Sequence, residues 1–134
     1  MIKPEELRIG NYVMYNGIVV SIMGITPPAP RKEDYWDGKW IVELFEGAST
    51  ITARLEDISA IKLDKDWFDK FSFQFFEDGF GWDKYRKDGL DIVIAPTNIG
   101  KIPAYYVFND YIYIRSVHKL QNLYFTLKEK ELKL

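Results

Sequence analysis

Asn16-Gly17 stands between two runs rich in β-branched and aromatic residues, Gly10 to Tyr15 and Ile18 to Ile25. A two-residue connection of this kind closes a tight hairpin. Both turn positions need positive φ, which asparagine and glycine tolerate best. Similar punctuation recurs at Asp37-Gly38, Asp78-Gly79 and Asp88-Gly89. Short strands between turns are therefore the expected material of the fold.

In the first half, Pro4-Glu5-Glu6-Leu7 reads as one helical turn with proline at a tolerated early position. Strand patterns follow at 10–15, 18–25, 40–45, 50–54 and 59–63. A proline-rich loop from Thr26 to Gly38 separates the second from the third, and Leu55-Glu56-Asp57-Ile58 suits a single 3₁₀ turn. This order predicts an SH3-like barrel over residues 1–63. An OB-like barrel is the nearest competitor, but its usual helix before the fourth strand is missing here.

In the second half, Asp64 is placed to cap a short helix through Phe71, with Trp67, Phe68 and Phe71 on one side. Runs at 73–76, 80–85 and 90–94 alternate with turns and predict an antiparallel meander. A turn at Asn109-Asp110 pairs Phe108 with Tyr111, Val107 with Ile112, Tyr106 with Tyr113 and Tyr105 with Ile114. One face of this hairpin is then wholly aromatic (Tyr106, Phe108, Tyr111, Tyr113), and the other mainly aliphatic. Ser116 reads as the N-cap of a helix from Val117 to about Glu131. Its stripe of Val117, Leu120, Leu123, Tyr124 and Leu127 has the aliphatic hairpin face as nearest partner. The expected fold class is α+β, mainly antiparallel β. The SH3-like barrel is followed over residues 64–134 by a linking helix, a β-meander and a C-terminal helix packed on one face. The two parts are expected as two small domains or one continuous unit.

The chain has 134 residues, 47% of them apolar, enough for a sizeable core. Charges nearly balance, with 7 basic and 9 acidic residues in 1–63 and 11 of each in 64–134. No whole-molecule field favours nucleic acid or an anionic membrane. There is no cysteine, so neither a disulfide framework nor a thiolate metal site is available. The opening residues lack the apolar run of a signal peptide, and no stretch is apolar enough to span a bilayer. A cytoplasmic location without membrane attachment is the expectation.

Catalytic and metal constellations are sparse. His118 is the only histidine and lies just inside a helix start, where a packing role outweighs that of a general base. Asp83 and Asp91 could meet across a hairpin around a cation, but no calcium-loop motif supports this. Phe80-Gly81-Trp82 lacks the further glycine and following helix of a phosphate loop, and no Walker motif occurs. No catalytic residue, metal ligand or cofactor site is expected.

Aromatic residues, 16% of the chain, are the unusual feature. Tyr35, Trp36 and Trp40 sit at or beside the proline-rich loop, and Tyr106, Phe108, Tyr111 and Tyr113 line one hairpin face. Three readings stay open, in descending weight: cross-strand packing, a protein contact, and stacking against nucleic-acid bases. Lys84, Arg86 and Lys87 are the nearby cations for phosphate contacts.

The run His118-Lys119-Leu120-Gln121-Asn122-Leu123-Tyr124-Phe125 resembles a C-terminal signature of uncharacterised proteins from gut bacteria and their mobile elements. Leu7-Arg8-Ile9-Gly10-Asn11-Tyr12-Val13 and the segment from Ile58 through the Trp67–Phe71 helix are similar to the same proteins. There a glycine often precedes the phenylalanine at this helix end; Ser72 stands in its place here, which leaves a left-handed helix stop in question. The resemblance implies no established activity. The functional expectation is a non-catalytic, protein-binding interaction module of phage or mobile-element origin. The alternatives are a nucleic-acid accessory protein using the aromatic face, and an enzyme with a carboxylate-only site.

Overall fold

The computed structural model describes residues 1–77, 83–95, 104–107 and 113–134. The chain divides into two compact units, Met1–Ile61 and Lys62–Leu134. The division falls two residues before the boundary read from the sequence. Residues 59–63 do not form one fifth strand. Pairing stops at Ser59, Lys62 bridges to Ser116, and the Leu63 N–H donates to the Arg115 carbonyl at 3.0 Å.

The first unit opens on a 3₁₀ turn at Pro4–Glu6 with proline at its start. Five strands follow: β1 (Tyr12–Tyr15), β2 (Ile18–Thr26), β3 (Ile41–Phe45), β4 (Thr50–Arg54) and β5 (Ile58–Ser59). They pair antiparallel in the order β4-β3-β2-β1-β5, with a 3₁₀ turn at Leu55–Asp57 leading into β5. This is the SH3-like order expected, and the sheet curls as a half-barrel. Asn16 and Gly17 both take positive φ, 49° and 79°, so the β1–β2 turn has the backbone the sequence called for. A register shift between Ile22 and Gly24 bends β2, which lets one strand pair with β1 at its start and β3 at its end. Alternation along the strands sends Val13, Val20, Ile22, Val42, Leu44 and Ala53 into one core with Ile2, Leu7, Leu55 and Ile58.

The second unit starts with α1 (Lys65–Lys70), where the Asp64 carboxylate accepts the Trp67 N–H at 3.2 Å, as an N-cap should. The helix stops at Ser72, whose φ of 64° is left-handed. The Phe73 N–H donates back to the Phe68 carbonyl and the Ser72 N–H to the Asp69 carbonyl, the two bonds of a Schellman motif. The rings of Phe68 and Phe73, 5.3 Å apart, supply its apolar contact. Serine thus performs the left-handed stop usually assigned to glycine.

Strands β6 (Gln74–Phe76), β7 (Lys84–Lys87), β8 (Leu90–Ala95), β9 (Ala104–Val107) and β10 (Tyr113–Ile114) form an antiparallel meander in the order β10-β9-β8-β7-β6. Asp88 and Gly89 both take positive φ in the β7–β8 turn. The inner face carries Tyr85, Leu90, Ile92, Tyr105 and Ile114, all buried. Phe68 of α1 stacks on Tyr85 with centroids 4.4 Å apart and leans on Tyr105 at 5.0 Å. Lys87 also belongs to this face by alternation, and its ammonium donates to the Phe71 carbonyl at the end of α1.

The last helix, α2 (Val117–Lys128), is shorter than expected and ends at Glu129 in a left-handed conformation. Ser116 occupies the N-cap position, but its side chain makes no capping bond; its hydroxyl is buried without a hydrogen-bond partner. The buried stripe is Val117, His118, Leu120, Gln121 and Tyr124. Leu123 is half-buried, and Leu127, expected in the stripe, is 51% exposed. The chain reverses at Glu129 and returns Leu132, only 1% exposed, to the core instead. No helix among the described residues is long and apolar enough to cross a membrane.

Candidate binding surface

Pairing across the meander determines its outer face. Tyr113 opposes Tyr106, Tyr106 opposes Val93, Val93 opposes Lys84, and Lys84 opposes Phe76. Directly opposed residues share a face, so these five positions form a row running across all five strands. At the usual strand spacing of roughly 4.8 Å the row is about 19 Å long. A second row holds Gln74, Arg86 and Asp91. Tyr113 is 36% exposed, Arg86 is exposed, and Phe76, Lys84 and Val93 are half-buried.

Cations sit against the aromatic ends of the row. The Arg115 guanidinium lies 4.4 Å from the Tyr113 ring centroid, and Arg86 and Lys84 lie 5.3 and 5.8 Å from that of Phe76. Asp91 bonds to Arg86 through both oxygens, at 2.5 and 2.9 Å, and lies 3.9 Å from Lys84. The Arg86 bonds hold the Asp91 carboxyl below the usual carboxylate range.

The hairpin residues read from the sequence divide accordingly. Tyr106 and Tyr113 are paired as expected, with Tyr105 and Ile114 on the opposite, buried face. Phe108, Tyr111 and Ile112 lie outside the described residues, as do the Asn109-Asp110 and Asp78-Gly79 turns and Phe80-Gly81-Trp82. The sequence reading missed Phe76, Val93 and Arg115 as members of this surface. The signal was present in part. A two-residue turn at Asp88-Gly89 sets Lys84 opposite Val93, and alternation sets Arg115 beside Tyr113.

The aromatics of the first unit have a different setting. The Tyr35 hydroxyl donates to Asp57 at 3.2 Å, and the Arg54 guanidinium lies 4.0 Å over the Tyr35 ring. Arg54 also bonds Asp57 directly and pairs with Glu56 at 3.0 Å, and the Arg54 bond holds the Asp57 carboxyl low. Trp36 packs edge-on against Tyr35 at 4.6 Å, while Trp40 is half-buried against the barrel core. Tyr35, with Trp36 packed on it, ties the proline-rich loop to the 3₁₀ turn before β5, and Trp40 packs on the core of the half-barrel. A shallow depression beside them is lined by Met1, Gly38, Lys39, Trp40, Arg54, Leu55 and Glu56.

Other residues weighed for chemistry lie apart from one another. His118 is buried in α2. Asp83 does not oppose Asp91; it lies opposite Ile94, and Asp91 is taken by Arg86. Lys87, counted as a cation for phosphate, points to the inner face and is spent on the Phe71 carbonyl. Among the described residues no group of three or more His, Cys, Asp or Glu side chains could hold a metal ion. No protein-family model, no curated protein and no solved structure matches the chain.

Proposed function

We propose that this chain is a non-catalytic, protein-binding module and that the outer face of its second sheet is the contact surface. The observation that carries the reading is the row from Tyr113 through Val93 to Phe76. It sets aromatic and apolar positions in one row with Lys84 among them and leaves Tyr113 36% exposed. Accessible aromatic and arginine side chains are the residues enriched in protein contacts. A nucleic-acid face would need more free cation. Here Arg86 and Lys84 share Asp91, and the whole chain carries a formal charge of −2.

The phage or mobile-element setting belongs to this proposal and is supported by the C-terminal His118–Phe125 signature. The cytoplasmic setting is supported by the lack of cysteine, which suits a reducing compartment. The test is capture of partners from the native host by wild-type protein and by a Tyr113→Ser/Phe76→Ser double variant. The variant should keep its cooperative melt and lose the partner. Recovery of the same partner by both proteins would overturn the assignment of this surface.

A further inference from the structure

We infer that the segment received by this outer face is acidic and extended, with apolar or aromatic side chains interspersed among its carboxylates. This rests on the proposed binding role of the face and names the chemistry of its partner. Among the described residues of the face, Lys84, Arg86 and Arg115 are cationic and Asp91 alone is anionic. Asp91 is bonded to Arg86 and close to Lys84, so it cannot neutralise both. Arg115 stands at the other end of the row over Tyr113. Positive charge is thus in excess along the row, from Arg115 beside Tyr113 at one end and Lys84 between Val93 and Phe76 near the other, in a chain that is otherwise slightly acidic. That arrangement complements an extended segment whose carboxylates alternate with apolar side chains. A row of about 19 Å accommodates about six extended residues at roughly 3.3 Å each. Such a segment brings a few carboxylates, matching the small surplus. A polyphosphate would bring a charge at every unit and exceed it.

Fluorescence anisotropy with three labelled eight-residue peptides tests the inference: alternating Glu-Tyr, Gln-Tyr and Lys-Tyr, with a labelled oligothymidylate as a fourth probe. At low ionic strength the Glu-Tyr peptide should bind about tenfold tighter than Gln-Tyr. Added salt should erase the difference, and Lys-Tyr should bind weakest. Arg115→Gln, a change at an exposed side chain, should lower Glu-Tyr affinity several-fold and Gln-Tyr affinity by much less. Equal binding of Glu-Tyr and Gln-Tyr, no binding of any peptide, or preference for the oligothymidylate would overturn the inference. If peptide charge is without effect while the Tyr113→Ser/Phe76→Ser variant still loses its host partner, only the acidic class falls. If partner capture is indifferent to that variant, the binding surface itself falls.

Discussion

The side-chain amide of Gln121 donates to the carbonyl of Leu132 at 3.0 Å, tying the chain after α2 back onto the helix. Both residues are essentially unexposed, so this bond is made where water cannot replace it. Leu132→Ala should cost about 2–5 kcal/mol, the range for a buried leucine whose site does not collapse. Gln121→Ala should cost about 1–3 kcal/mol by leaving the carbonyl without its donor. Urea titrations followed by tryptophan fluorescence measure both. A chain shortened to end at Glu131 should lose as much stability as Leu132→Ala or more.

Ser72 is the position where the helix stop is strained. A left-handed conformation costs an L-residue roughly 1–2 kcal/mol relative to glycine. Ser72→Gly should therefore raise stability by about 1 kcal/mol, even after glycine's greater freedom in the unfolded chain is counted. Ser72→Val should lower it, since a branched Cβ fits this backbone poorly. Thermal melts of the three proteins decide the order.

Tyr113 and Ile114 are adjacent but face opposite sides of the sheet. Ile114→Ala removes a side chain only 3% exposed and should cost about 2–5 kcal/mol. Tyr113→Ser should cost about 1 kcal/mol or less, the scale of a cross-strand aromatic pair on an accessible face. Equal costs in denaturant titrations would contradict this division of the two residues between the faces.

Acid and alkali should act through different groups. Arg54 bonds to Asp57, the Tyr124 hydroxyl to Asp88 and Arg86 to Asp91, and each bond lowers the carboxyl's pKa in the folded state. Their stabilisation is present above the ordinary carboxylate value of 3.8 and is lost as pH falls below it through the folded values. Tyr124 is pushed up to about 12 by burial and its bond to Asp88, and Tyr85 to about 12 by burial. An unfolded tyrosine releases its proton near 10, so the folded state holds more protons between about pH 10 and 12 and stability declines across that window. Tyr124→Phe should flatten part of the alkaline decline in pH-dependent denaturation and remove the Asp88 share of the acid loss.

Where local chemistry decides, the fold was legible. Asn16-Gly17 and Asp88-Gly89 announce their turns because their backbone needs few other residues, and Asp64 announces α1 through a bond three residues away. Ser116 shows the limit: its backbone starts α2 as expected, while its hydroxyl, placed by the tertiary structure and not by local sequence, is buried and makes no capping bond. Leu127 and Leu132 were exchanged for a similar reason. Helical periodicity cannot foresee a reversal at Glu129, a residue with no intrinsic preference for left-handed φ. The outer face was half visible. Tyr106 and Tyr113 follow from one hairpin, but joining them to Val93 requires the β8–β9 register and joining Val93 to Phe76 the β6–β7 register, which no short turn specifies.

The bond from Tyr35 to Asp57 also alters the arithmetic of the loop between Thr26 and Ile41. The entropy of closing a loop depends on the length between fixed points, and Tyr35 supplies a fixed point inside this one. The stretch before Tyr35, with all three of its prolines, becomes one closed arc; the stretch from Trp36 to Trp40 becomes another, shorter and stiffer. Residues spliced in between Pro27 and Pro28, ahead of the bonds that tie Ala29 to Gly38 and Arg31 to Asp37, would lengthen an arc already closed at both ends, at a cost that grows only logarithmically. The same residues placed between Tyr35 and Trp40 would displace a tryptophan packed on the barrel core. The first arc is where evolution or an engineer can add sequence to this barrel without reopening its fold.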